Sequence, residues 1–145
     1  YAAECHSLVV SLGLEGKVHF LGFQSIQEIL PKLGVMVLTS ISEAQPLVIL
    51  EAWCAGTPVV SSDVGSCREL IEGGEPEDRA LGLAGEVVAI ADPQATARAI
   101  LGLLRDPQRW QAAQASGLAR VRRYYGEALM LQRYRDLYRA ATEKY

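Results

Sequence analysis

Apolar residues along the chain follow two alternating patterns. Val35–Thr39 (VMVLT) and Pro58–Ser62 (PVVSS) are apolar or β-branched on both faces, as parallel strands covered by helices are. Lys17–Leu21 (KVHFL) and Gly85–Ile90 (GEVVAI) alternate more strictly and are two further strand candidates. Between these runs the spacing turns helical. Gln24–Leu33 repeats Ile26, Ile29, Leu30 and Leu33; Pro46–Ala55 opens on a proline and is stopped by Gly56. Ser66–Ile71 is a short helix with Ser66 as its cap. Helix alternating with strand predicts an α/β domain: a Rossmann-like parallel sheet with helices on both faces.

The rhythm breaks twice. Glu72–Leu83 (EGGEPEDRALGL) carries glycines, a proline and acidic side chains and reads as a solvated loop. After Asp92-Pro93 the strands cease and three helices follow. The first carries Ala95, Ala99, Leu103 and Leu104, the second starts at Asp106-Pro107, and Gly126 precedes the last, which runs to about Tyr145. Residues 1–92 are therefore a Rossmann-like region and residues 93–145 the C-terminal helices of the same domain. The stripe of Tyr134, Leu137 and Tyr138 reads as helix core, and Trp53 and Trp110 as packing anchors.

Composition narrows the class. With 145 residues, half of them apolar and 21% charged, the chain is one folded domain in size. The longest stretch free of charged residues, Ala52–Ser62, is far short of the ~20 residues of a transmembrane helix. Cys5, Cys54 and Cys67 are an odd number with no Cys-x-x-Cys pair, so neither a disulfide framework nor a zinc knuckle is expected. His6 and His19 have no ligand set around them, and no charged-then-apolar leader opens the chain. A cytoplasmic setting follows. The chain has no initiating Met and begins as if inside a helix, as a fragment of a longer protein would. Residues 1–97 carry 4 basic and 13 acidic side chains, residues 98–145 carry 10 and 4. The arginines of the second part lie among Ala, Leu and Gln, a solvated helix face rather than a nucleic-acid surface.

Chemistry concentrates in Thr39–Gly56 (TSISEAQPLVILEAWCAG). A strand ends, a polar turn follows, and a helix begins at Pro46. Ligands of open parallel sheets sit beyond the carboxyl ends of strands, and the first free N–H groups of the helix, at Leu47 and Val48, are suited to an anion such as a diphosphate. Glu51 is the sole charge between Pro46 and Pro58. On a helix that is apolar all round and hence buried, it needs a partner, Arg68 or Lys32, or else must face a cleft, where a carboxylate can accept from a vicinal diol. Glu43, in the turn, is either a solvated charge or a second site carboxylate.

Glu43 and Glu51 stand as E-x7-E within S-E-A-Q-P-L-V-I-L-E-A, and this segment resembles the donor-site signature of retaining glycosyltransferases of family 4. V-H-F-L-G-F at 18–23, A-G-T-P-V-V at 55–60, D-V-G-S-C-R-E-L-I-E-G at 63–73 and A-G-E-V-V-A-I-A-D-P at 84–93 are similar to the nucleotide-sugar half of those enzymes, in the same order. The resemblance implies the C-terminal donor-binding half of a two-domain GT-B fold. It implies that Glu51 binds the ribose hydroxyls of a nucleoside-diphosphate sugar. Glu43 would lie by the sugar and the reacting carbon, and the main chain of Gln45, Leu47 and Val48 would contact sugar or phosphate. The backbone near Gly22 and Phe23 would border the base. Transfer would retain the anomeric configuration without a metal or other cofactor. Within the family the likeness is nearest to an exopolysaccharide-synthesising enzyme, which implies UDP-glucose as donor.

Two departures from the family pattern matter. Ala44 stands where glycine is usual, a strained position if φ there is positive. The basic side chains that hold the diphosphate, and the N-terminal acceptor domain, would lie upstream, so this chain alone is expected to be inactive. In a sheet ordered 3-2-1-4-5-6 the upstream residues would supply strands 1 and 2. Lys17–Leu21 would then lack neighbours and Val35–Thr39 would present an open edge, inviting a homodimer or a rearranged sheet. Outside the resemblance, a receiver-like module lacks its acidic cluster and strand-end lysine. A non-catalytic nucleotide-binding or protein-interaction module is the alternative.

Overall fold

The computed structural model describes residues 1–142. Met36–Leu38 (β1), Val59–Ser62 (β2) and Gly85–Val88 (β3) form a parallel sheet in the order β1-β2-β3, with Met36 opposite Val59 and Val59 opposite Gly85. β2 is buried along its whole length because it has a strand on each side and helices on both faces. Its two valines divide the core. Val59 joins Ile49, Trp53, Cys67, Leu70 and Ile71, whereas Val60 joins Leu103 and Ala113. Leu47–Cys54 (α3) and Cys67–Glu72 (α4) cover the first face, and Pro93–Arg105 (α6) covers the second. Pro107–Tyr124 (α7) reaches both, through Ala113 and through Val121.

Local chemistry sets the helix starts. Asp92 accepts from the Ala95 N–H at 2.8 Å, and Asp106 accepts from those of Gln108 and Arg109 at 3.0 Å. In both cases a proline follows, with φ already set for the first helical position. α3 and α7 lock together at one point. The Trp53 Nε1–H donates to the Ala84 carbonyl at 3.1 Å, and the indole lies on Gly117, where a Cβ would come within 2.5 Å of the ring.

Several expectations need correction. Lys17–Leu21 is not a strand, because no strand among the described residues lies beside it to share a hydrogen-bond ladder. It runs instead along Ala2–Ser11 (α1), with the Phe20 and His6 rings 3.9 Å apart. Gln24–Leu33 is not one helix. Ile26–Ile29 (α2) passes into a 3-10 turn, Leu30–Lys32, at Pro31, which has no N–H and crowds the preceding turn. The sheet is not rearranged, and β1 forms its edge. The last helix, Glu127–Thr142 (α8), buries no residue, so its tyrosine and leucine stripe is exposed rather than core. Its expected end near Tyr145 lies outside the described residues.

The largest departure is Glu72–Leu83. Part of it folds as Pro76–Arg79 (α5), and its Asp78 is buried. The partner is Arg120 of α7, which is fully buried. Its Nε donates to Asp78 Oδ1 at 2.5 Å, and its terminal nitrogens donate to the carbonyls of Ile71, Asp78 and Gly82 at 2.8–3.0 Å. An acidic loop is thus bolted to the interior. Arg120→Met takes the cation from Asp78 and the guanidinium from the Gly82 carbonyl, whereas the Ile71 and Asp78 carbonyls keep the N–H groups of Ala84 and Leu81; it is expected to lower the unfolding free energy by about 3–5 kcal/mol in urea titrations. Asp78→Asn added to Arg120→Met should cost less than it does alone, because the charge it removes no longer has a cation beside it and keeps only the Gly74 N–H at 3.0 Å.

Candidate functional site

The turn between β1 and α3 is held from the exit of β2. Ser62, at that exit, shares its one Oγ–H between the carbonyls of Ser40 at 2.8 Å and Leu38 at 3.1 Å. Ser40 in turn donates from Oγ to Glu43 Oε1 at 2.7 Å, and the Ser66 N–H donates to the Ala44 carbonyl at 2.9 Å. Ala44 does not have a positive φ; among the non-glycine residues described, Ala91 alone does. Alanine is therefore unstrained at position 44, and its methyl lies on the exposed side.

α3 is not buried all round. Ile49, Ala52 and Trp53 face the core, while Leu47, Glu51 and Cys54, at i, i+4 and i+7, lie on the opposite, open side. Leu47 is 66% exposed. Glu51 is half-buried and lines a cleft of about 440 Å³ with Ile26, Leu30, Leu50, Cys54 and Tyr125. Among the described residues Glu51 has neither an ion-pair nor a hydrogen-bond partner. Arg68 is engaged elsewhere, with Asp63 at 2.7 Å and Glu72 at 2.5 Å, and Lys32 forms no ion pair among the described residues. The cleft, not a buried pair, is where this carboxylate points. Pro46 is the cap residue of α3, one position earlier than the first helical turn, and no side chain caps that turn.

A second cleft, of about 310 Å³, opens at the start of α3 between Gln45, Leu47 and α8. Arg133 and Tyr134 line it, and Tyr125 borders both clefts. Sequence reasoning missed Arg133, since no local pattern ties the last helix to the first turn of α3. Gly22 and Phe23 are not brought to the Glu51 cleft. Phe23 is fully exposed, and the wall expected from them is made by Ile26, Gln27 and Leu30. A polar hollow of about 550 Å³ lies beside the Gly65 turn, lined by Arg68, Arg79 and four carboxylates, Asp63, Glu69, Glu72 and Glu75. Its acids outnumber its bases, so it repels a diphosphate.

The family model for group 1 glycosyl transferases matches residues 2–106. The chain belongs to that family. It is 33% identical over 122 residues to the lipopolysaccharide core biosynthesis mannosyltransferase LpsB of Rhizobium meliloti (strain 1021), a match covering 83% of this chain and 33% of LpsB. Its fold superposes on that of Anabaena HepE in complex with UDP, with a TM-score of 0.86 and 26% identity over 97% of this chain and 37% of HepE. For the HepE complex with UDP-glucose the TM-score is 0.74, with 29% identity over 86% and 33% of the two chains. The chain thus spans about a third of the length of these relatives. No helix among the described residues is long and apolar enough to cross a membrane.

Tyr125 gives the two clefts a titration signature. Burial, then the negative charges of Asp78 and Glu69, push its phenol above the ordinary value of 10. The folded chain therefore keeps this proton to higher pH than the unfolded chain. The stability linked to it is intact below about pH 10 and is lost as pH rises through the folded value. In alkaline denaturation followed by circular dichroism, Tyr125→Phe should lose less stability above that pH than the native chain does.

Proposed function

We propose that this chain supplies the donor half of a retaining glycosyltransferase active site and binds a nucleoside-diphosphate sugar, UDP-glucose, along the open face of α3. One observation carries the reading: Glu51 is a half-buried carboxylate without a partner among the described residues, set on an apolar helix and facing a cleft. Such a group is stabilised by a ligand that donates to it, and a ribose diol donates two hydrogen bonds. The HepE complexes with UDP and UDP-glucose support the choice of ligand.

In this reading the uncapped N–H groups of Leu47 and Val48 receive the diphosphate, and the main chain of Gln45 meets the sugar or its phosphate. The base sits toward Ile26 and Leu30, with the backbone of Gly22 and Phe23 leading into that wall. Glu43 is the catalytic residue. It holds sugar hydroxyls and offsets positive charge developing at the anomeric carbon as the bond to the diphosphate breaks. No metal is required in this scheme. An N-terminal domain completes the site with the acceptor and further basic side chains, so this chain alone does not turn over. Residues 1–92 carry the donor site and residues 93–145 brace it. The open edge of β1 pairs with a second copy when this chain stands alone. The combination of S-I-S-E-x-Q-P-L-V-I-L-E-A with D-V-G-S-C-R-E-L-I-E-G resembles the glycosyltransferase of Pel exopolysaccharide synthesis, and we assign the reaction to cytoplasmic exopolysaccharide assembly. The mannosyltransferase LpsB favours a second reading, in which the transferred sugar is mannose.

Calorimetric titration with UDP tests the reading. Glu51→Ala should weaken binding about tenfold or more, the worth of a charge-assisted hydrogen bond, whereas Arg68→Ala should leave it unchanged. Equal affinity of the native chain and Glu51→Ala would sink the assignment.

A further inference from the structure

We propose that the exit of β2, Ser62–Ser66, is a positioning element for Glu43, with Gly65 and Ser40 as the residues that set where its carboxylate lies. The proposal rests on the donor reading above. It concerns residues to which neither the E-x7-E spacing nor that reading gives a role.

The contacts form a closed set. Ser62 pins the carbonyls of Leu38 and Ser40, so the last residues of β1 leave the sheet in one direction. The chain after β2 then doubles back against the same turn. Gly65, at φ +50°, lies so close to it that a Cβ would stand 2.2 Å from the Glu43 carbonyl oxygen and 2.6 Å from that of Ala44. Both obstacles are backbone, which cannot swing aside as a side chain does. The Ser66 N–H holds the Ala44 carbonyl from the same side at 2.9 Å. On the carboxylate itself, Ser40 donates to Oε1 at 2.7 Å, which sets the plane of the group and leaves Oε2 wholly free to accept from a sugar hydroxyl. Main chain and side chain of Glu43 are thus fixed by different groups. Reach to a reacting carbon demands such double support, because an error of about 1 Å in a catalytic group is costly.

Gly65→Ala and Ser40→Ala separate positioning from mere support of the fold. UDP does not reach Glu43 in this scheme, while UDP-glucose does. Calorimetric titration should therefore give both variants near-native affinity for UDP and about tenfold lower affinity for UDP-glucose. A crystal structure of Gly65→Ala should show the Glu43 carbonyl displaced by about 1 Å, the distance needed to relieve the clash, with the Ser40 hydrogen bond broken. Ser40→Ala removes one hydroxyl and is expected to melt as the native chain does, so it carries the titration if Gly65→Ala folds poorly. Unchanged UDP-glucose affinity in Ser40→Ala, equal loss of both ligands, or an undisplaced Glu43 in Gly65→Ala would each overturn the proposal. Failure of the native chain to bind UDP would count against the donor reading instead, and the position of Glu43 in the Gly65→Ala structure then decides the positioning role by itself.

Discussion

The indole of Trp53, buried against Gly117 and hydrogen-bonded to the Ala84 carbonyl, fixes how α3 is rolled about its axis. Emptying such a site costs about 3–5 kcal/mol, far more than any surface contact offers. Gly117 permits the close approach, because any side chain there would collide with the ring. With Trp53, Ile49 and Ala52 committed to the core, helical geometry leaves Glu51 no choice of direction. It faces the cleft with Cys54, while Leu47 lines the neighbouring one. The one charge on the helix is open to the cleft because Ile49, Ala52 and Trp53 bury themselves on the other side.

The second constraint is electrostatic. Arg120 and Asp78 are both taken out of water, which is expensive for each ion. The cost is offset because four of the five N–H donors of the guanidinium meet an acceptor: one carboxylate and three carbonyls. That geometry holds α7 against the loop between α4 and β3. α7 in turn carries Gly117 and Val121 and leads into Tyr125, so the pair supports both the core face of α3 and the floor of its cleft. The exposed pairs Arg68–Asp63 and Arg68–Glu72 do little for stability by comparison, but they keep Arg68 away from Glu51.

The sheet and the helices that cover it were legible wherever burial and period agreed. The double-sided apolar runs at 35–39 and 58–62 contain β1 and β2, and the Asp-Pro pairs mark the starts of α6 and α7. Legibility failed where a distant partner decides. Lys17–Leu21 alternates like a strand yet has no neighbour to pair with. Glu72–Leu83 looks solvated because its anchor, Arg120, is remote in sequence. α3 reads as fully buried because its apolar composition does not reveal that Leu47 and Cys54 line open clefts. In the candidate site, Glu51 stood out as the sole charge on its helix, whereas Glu43 stood out only through the family resemblance. Arg133, Ser62 and Gly65 reach it only through tertiary folding.

A crystal structure of the chain soaked with UDP addresses the central claim most directly. The ribose hydroxyls are expected within hydrogen-bond distance of the Glu51 carboxylate, with the diphosphate over the N–H groups of Leu47 and Val48. A nucleotide seated in the hollow between Arg68 and Arg79, or ribose hydroxyls turned away from Glu51, would contradict it.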